Sequence, residues 1–404
     1  MLDRWSLLAL IVASIVGMPV LVVALSVLVP DVDVWHHLAT TVLGDYVSNT
    51  FALIFGVGIG VTVIGVSTAW LVAMCRFPGQ RIAEWALLLP FAVPTYIMGY
   101  TYTDFFQFAG PFQTTLRDLM GWTRDDYWFP QIRTVGGAIF VMTMVLFPYV
   151  YLLARTAFLS QSRCLLDVSR TLGRTPWRHF VEIGLPMARP AIAGGVALAL
   201  METVADFGTV QYFGINTFTT GIYRTWFALG EPIAAAQLSA MLMVFVLVIL
   251  WLERHHRGEA RYDHTTAMRP LKCYELTGVK KYMATAVCWL PIILGFVLPV
   301  AVLVSMTIEQ GDAMFLGKFW TLARNSFSLA ALSALLIVGV AILLAYAVRL
   351  RDNALVKGAV RLASLGYAIP GTVIAVGTLI PFARADNAIN IWAQTYLGFS
   401  TGLL

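Results

Sequence analysis

The stretch LDVSRTLGRTPWRHFVEIGLP, Leu166–Pro186, decides how this chain is read. Apolar runs flank it on both sides, yet it carries Asp167, Arg170, Arg174, Arg178, His179 and Glu182, groups that are costly inside a hydrocarbon layer. Gly173 lacks a Cβ and can take the positive φ that turns a chain. Thr175 then stands as an N-cap, with Pro176 at the first helical position. The segment predicts two short helices joined at Gly173 and held at a membrane surface. An ordinary basic loop between two spans is the simpler alternative.

Composition sets the surroundings. Of 404 residues, 59% are hydrophobic and 12% charged, where a soluble domain carries about 25% charged residues. The chain reads as an all-α polytopic membrane protein. Its net charge of +5 does not indicate a nucleic-acid partner, because the basic residues sit in short loops between apolar runs. Cys75, Cys164, Cys273 and Cys288 form no CxxC pair, so neither a disulfide framework nor a metal cluster is indicated. The run Ser6–Val29 is longer than the apolar part of a signal peptide and reads as a retained first span.

Runs of spanning length fall near 6–29, 49–75, 84–108, 135–159, 188–212, 235–252, 283–307, 325–348 and 362–383, predicting about nine transmembrane helices. With the N-terminus in the cytoplasm, the inner segments hold 20 of the 27 Lys and Arg residues. The reverse orientation opposes the positive-inside bias. Leu166–Pro186 is then cytoplasmic. The first outer loop sets Asp31, Asp33, His36 and His37 beside Trp35. A metal site and a Trp-anchored interfacial loop both fit, and the second is the more ordinary. The second outer loop, roughly 109–134, mixes Asp118, Asp125 and Asp126 with Arg117, Arg124 and Arg133. It reads as a solvated face that could receive a soluble partner.

Sliding the chain against itself reveals a parallel repeat. An offset of 276 lays Asn49-Thr50-Phe51 over Asn325-Ser326-Phe327, and Phe91-Ala92-Val93-Pro94 over Tyr367-Ala368-Ile369-Pro370, with no gap between the two matches. Internal repeats are a recognised transporter design. Residues 1–253 form a first repeat of six helices, 254–281 a basic cytoplasmic linker, and 282–404 an incomplete second repeat of three. The same offset carries Asp167 and Pro186 to 443 and 462, past Leu404. The chain is therefore expected to be a fragment of a longer protein, the alternative being a naturally short one.

Ionisable groups at membrane depth are candidates for function. Glu202 and Asp206 are four apart and would share a helix face, with Thr209 continuing the stripe. They would line a translocation route or lock the packing of neighbouring helices. Tyr96, Tyr100 and Thr103 form a second polar stripe behind Pro94, which suits either a pore wall or an interfacial belt. No GxxxxGK[ST], HExxH or GxSxG pattern is present, so no catalytic residue, phosphate loop or cofactor is assigned.

The spacing of Leu166–Pro186 resembles the cytoplasmic "EAA" loop of ABC-importer permeases, Glu-Ala-Ala-x3-Gly-x9-Ile-x-Leu-Pro. Asp167-Val168-Ser169 stands at the triplet, where only the acid is kept in kind. Gly173, Ile183, Leu185 and Pro186 fall in register. The segment ADFGTVQYFGINTFTTGIYRTW, Ala205–Trp226, followed by LERHHRGEARY, resembles ferric-iron permeases, in which two type I permease halves are fused. The resemblance covers the whole chain, and it implies one complete permease repeat plus the first half of a second. It also implies cytoplasmic ATPase subunits that hydrolyse ATP and grip Asp167, Gly173, Ile183, Leu185 and Pro186, and a periplasmic binding protein that delivers Fe³⁺. The location implied is the bacterial inner membrane, with membrane lipid around the helices. Glu202, Asp206, Tyr96 and Tyr100 offer the oxygen ligands that a hard trivalent cation prefers, so transient Fe³⁺ contact falls to Glu202 and Asp206. Thiamine and phosphonate permeases are close relatives of that family. A gradient-driven transporter and a non-transport membrane scaffold are the rival classes.

Overall fold

A computed structural model describes residues 4–29, 32–161, 171, 173–257, 274–309, 311, 318–350, 353–364, 366 and 369–400. Asp167, Val168 and Ser169 lie outside the described residues, as do Cys164, Cys273 and the Tyr367-Ala368 pair of the repeat comparison.

The fold is all-α. Its helices run α1 Arg4–Ser26, α2 Val32–Thr41, α3 Leu43–Met74, α4 Gln80–Ala86, α5 Thr95–Phe106, α6 Pro111–Met120 and α7 Val135–Leu159. They continue with α8 Pro176–Ala205, α9 Gly208–Phe213, α10 Phe218–Phe227, α11 Pro232–Arg257, α12 Val279–Glu309, α13 Lys318–Leu350, α14 Ala354–Ser364 and α15 Gly371–Leu397. Two-residue strands, β1 Cys75–Arg76 and β2 Tyr274–Glu275, pair in parallel. The second of them comes from the stretch expected to be only a linker.

Among the described residues, seven helices are long and apolar enough to cross a membrane: α1, α3, α7, α8, α11, α12 and α13. A bent pair, Gln80–Ala92 and Thr95–Met120, is folded through 92° and forms a broken span or a re-entrant loop, for up to eight spans in all. The predicted continuous helix over 84–108 is therefore broken. Pro94 has no N–H to donate, and it pushes the preceding Val93 to extended backbone (φ −103°, ψ 112°). The run expected at 362–383 is likewise interrupted. Helix α14 ends at Ser364, and α15 restarts behind Pro370.

Contacts divide the chain into two compact units. One holds Val42–Thr220 and Phe245–Leu303, with α7 at its centre between α3 and α8. Glycine lets these helices close. A Cβ at Gly65 of α3 would stand 2.6 Å from Val150 Cβ, and one at Gly195 of α8 would stand 2.7 Å from Val150 Cα. Backbones approach this closely where van der Waals packing, rather than water, drives helix association. Two buried tyrosine hydroxyls are satisfied on carbonyls: Tyr102 donates to Leu294 O at 2.7 Å, and Tyr151 to Glu84 O at 2.8 Å. Arg155 pairs with Glu84.

The other unit holds Met1–Thr41, Gly221–Val244 and Val304–Leu404. Here α1 packs on α13, α14 and α15 around Ala9, Ala13, Leu344, Ala347, Val356 and Ala359. Gln237 donates to the carbonyls of Ser26 (3.0 Å) and Val29 (2.7 Å) and accepts from the Trp35 indole, fixing the loop after α1. Helix α13 exposes nearly all its apolar side chains, as a helix solvated by lipid does.

The offset of 276 also relates whole elements. It carries Leu43–Met74 onto 319–350, where α13 is Lys318–Leu350, and Gln80–Ala86 into α14. It lays Pro94 on Pro370, whose backbones agree (φ −57°, ψ 141° and φ −55°, ψ 139°), so α5 and α15 begin at equivalent positions.

Candidate functional site

Helix α8 begins where the charged surface segment turns. Gly173 takes φ +69°, the left-handed region that a side chain resists. Thr175 caps α8, its hydroxyl accepting from Arg178 N at 3.3 Å, and Pro176 follows at the first position. One expectation is corrected. The helix after Gly173 is not short, because it passes through a π turn at Phe180–Gly184 and continues to Ala205. The π turn stays apolar on its inner side, where Trp70 of α3 meets Phe180 with ring centroids 4.9 Å apart. A Cβ at Gly184 would stand 2.8 Å from Trp70 Cζ3. Gln161 donates to Gly184 O at 3.1 Å, and Arg174 pairs with Glu182 at 3.1 Å. Ile183 lies in the π turn, with Leu185 and Pro186 in the first turn beyond it.

At its far end α8 stops sooner than expected. Glu202, Asp206 and Thr209 do not form a stripe on one helix. Asp206 is extended (φ −64°, ψ 128°), and Thr209 belongs to α9. The cause is competition by the Asp206 carboxylate for backbone donors. Its Oδ1 accepts from Thr209 N at 2.9 Å and Val210 N at 3.3 Å, two free N–H groups at the start of α9. Its Oδ2 accepts from the hydroxyls of Thr209 (3.0 Å) and Thr95 (2.8 Å), the latter being the first residue of α5. Thr219 Oγ1 donates to the Asp206 carbonyl at 2.8 Å. One acid therefore joins the starts of two helices that follow two breaks, and broken helices of this kind build midplane sites in transporters.

Glu202 is placed differently. It is exposed on α8, and its carboxylate accepts a hydrogen bond from Tyr149, whose ring packs against Phe91 at 4.6 Å. Tyr96 and Tyr100 are exposed on α5 and meet Tyr212 of α9 edge-on, with centroids 5.9 and 6.0 Å apart. Thr103 is buried and belongs to the packing. Arg133 closes the group, donating to Tyr212 O at 2.6 Å with its guanidinium 5.3 Å from the ring centroid. The structure thus gathers Glu202, Asp206, Thr209, Tyr96 and Tyr100, and adds Thr95, Arg133, Tyr149 and Tyr212. Pro148 before Tyr149, and Gly208 and Gly214 flanking Tyr212, were the available signals for the additions. All four oxygen–donor contacts of Asp206 are made within the protein, so the arrangement offers an acid that positions helices and a second acid that is open.

In the segment expected to face outward, Thr123 donates its backbone N–H and hydroxyl to Asp126 at 2.6 and 2.7 Å, holding that carboxyl below its ordinary range. Arg117 donates to the Tyr127 hydroxyl at 2.9 Å, which donates to Gln113 at 2.7 Å. Leu119, Met120, Trp122 and Trp128 stand exposed beside this network.

No protein-family model matches the chain. It is 29% identical over 339 residues to the Fe(3+)-transport system permease protein FbpB 2 of Haemophilus influenzae, covering 83% of this chain and 62% of that protein. It is 29% identical over 206 residues to the molybdenum transport system permease protein ModB of Escherichia coli, covering 48% of this chain and 87% of that one. The sulfate transport system permease protein CysT of Escherichia coli is 26% identical over 176 residues, covering 44% and 57%. A chain from the crystal structure of a bacterial alginate ABC transporter, in complex with an alginate pentasaccharide-bound periplasmic protein, superposes with a TM-score of 0.43. That match has 16% identity and covers 53% of this chain and 78% of that one. The chain therefore resembles the permease proteins of iron, molybdenum and sulfate transport systems.

Proposed function

We propose that this chain, by its resemblance to such permeases, is the membrane-spanning subunit of an ATP-driven importer and that its cargo is ferric iron. The observation that carries the reading is the similarity to the iron-system permease, which runs through 83% of the chain and so includes both helix breaks. Residues Asp167, Gly173, Ile183, Leu185 and Pro186 form the surface that cytoplasmic ATPase subunits grip. From that surface α8 runs 30 residues without a break to Ala205, about 45 Å at helical rise. A displacement at Pro176 is therefore delivered to Glu202 and Asp206. Asp206 passes it to α5 through Thr95, and the two helix starts shift together. Alternating access follows when that junction opens to one side at a time. Glu202, Tyr149, Tyr96, Tyr100 and Tyr212 line the route, Glu202 being the acid open to a passing cation. The chain lies in a bacterial inner membrane with its N-terminus inside. The ordered outer segment with exposed Trp122 and Trp128 receives the binding protein.

A second cargo has support of its own. Arg133 stands beside the tyrosines, Asp206 is already committed, and the molybdenum-system relative matches 48% of this chain at the same identity. These favour an oxyanion such as molybdate. Uptake of radiolabelled iron, molybdate and sulfate, in cells that express this protein together with ATPase and binding-protein subunits, decides. Iron uptake that stops on ATP depletion is expected. Uptake of molybdate alone would replace the cargo, and uptake that follows the proton gradient at constant ATP would overturn the importer reading.

A further inference from the structure

Beyond the proposed route, the unit built on α7 carries a long lateral groove of about 980 Å³ between α3, α8 and α11. Along α8 it extends from Leu185 to Leu200, about 22 Å at 1.5 Å per residue. One leaflet of hydrocarbon is about 15 Å deep, so the groove runs from the headgroup layer to beyond the midplane. Its lining includes small residues, Gly58, Ala193 and Ala197 among them, with aliphatic side chains and Phe55. Phe51 and Phe245 close the far end, edge to face at 5.2 Å.

The near end is chemically different. Arg189, Glu253 and His255 line it, and Trp251 stacks on His255 at 5.6 Å while remaining largely exposed. Exposed Trp beside basic side chains marks the membrane–water interface. Arg189 is exposed, and among the described residues it has no hydrogen bond or ion pair. An unpaired guanidinium at the mouth of an apolar groove is the geometry that a phosphodiester with hydrocarbon chains completes, because guanidinium binds phosphate through parallel N–H donors.

The groove is apolar along most of its length, as hydrocarbon chains require. We propose that this groove seats one anionic glycerophospholipid, its acyl chains between α3, α8 and α11 and its phosphate on Arg189. Leu185 borders both the seat and the proposed ATPase-gripping surface, so the lipid braces the base of α8.

The test is lipid retention by the full chain, read by native mass spectrometry after release from nanodiscs of equal phosphatidylglycerol and phosphatidylcholine. One bound phosphatidylglycerol per chain, retained severalfold over phosphatidylcholine, is expected. Arg189→Gln should abolish the preference, and Arg189→Lys should keep most of it. Ala197→Trp fills the groove and should remove both lipids while the melting temperature holds. Equal retention of the two lipids, or an Arg189→Gln variant with an unchanged preference, would overturn the proposal. So would a chain dimer that Ala197→Trp separates, since the occupant would then be a helix of a second copy. If Ala197→Trp unfolds the chain, the Arg189 pair alone decides.

Discussion

Asp206 and Glu202 are four residues apart, yet their surroundings assign them opposite work. Asp206 holds two helix starts through four accepted hydrogen bonds. Asp206→Ala leaves those donors unpaired at partly buried positions, and should cost about 1–3 kcal/mol. Folded protein and uptake should fall together. Glu202 is exposed and contacts Tyr149, so Glu202→Gln should cut uptake severalfold with abundance and melting temperature unchanged. Measuring both quantities in the same cells separates the roles, and a Glu202→Gln variant that loses abundance in step with uptake would make it a packing residue. Asp126 gives a pH dependence. Thr123 holds its folded pKa below the unfolded value, so the stabilising contact is fully present above about pH 4 and is lost as pH falls through the folded value. The protection factor of the Thr123 amide, its exchange relative to an unstructured amide at the same pH, should be high at pH 7, lower near pH 2, and low at both in Asp126→Asn.

Among the elements, breaks carry the proposed mechanism, and they are where reading the sequence succeeds least evenly. The spans themselves are legible because hydrocarbon demands long apolar runs, and Thr175-Pro176 announces the start of α8 through side-chain chemistry local to it. The stop at Asp206 is hidden. The apolar run continues through it, and spacing of four imitates a helix face. Only Gly208 hints at a turn. Tyr149 and Arg133 join the site from other elements, which no local pattern encodes. Gly173 is a break that both views agree on. Nothing lies within 4 Å of a Cβ built there, so a side chain meets backbone strain and no clash. Gly173→Val should leave the protein inserted and abundant but lower uptake strongly, because a β-branched residue rejects positive φ. Gly173→Asn, which tolerates that region, should recover most of the loss. ATP hydrolysis by co-purified ATPase subunits, still stimulated normally by loaded binding protein in the valine variant, would remove this turn from coupling.

The whole molecule is organised by exchange between the two stretches that the 276-residue offset relates. Helix α1, from the first stretch, packs on α13, α14 and α15 of the second. Helix α12 opens the second stretch and packs on the first, where Gly79 and Trp289 meet and a Cβ at Gly295 would stand 2.8 Å from Pro90 Cγ. The chain from β1 is likewise tied to β2 by Leu276 N donating to Arg76 O at 3.3 Å. Apolar patterning could not foresee these pairings, because it fixes which residues avoid water and leaves open which helices meet in lipid. They make a strong prediction. If residues 1–257 and 274–404 are produced as two polypeptides, each compact unit needs parts of both. Expressed together, the pieces should co-purify and last about as long in the membrane as the intact chain. Expressed alone, each should be degraded severalfold faster, since α1 and α12 then lose the helices they pack against. Pulse–chase labelling with affinity capture of the first piece measures both outcomes. A first piece that is equally long-lived by itself would mean that the exchange contributes nothing to stability, and that the linker merely tethers two independent bundles.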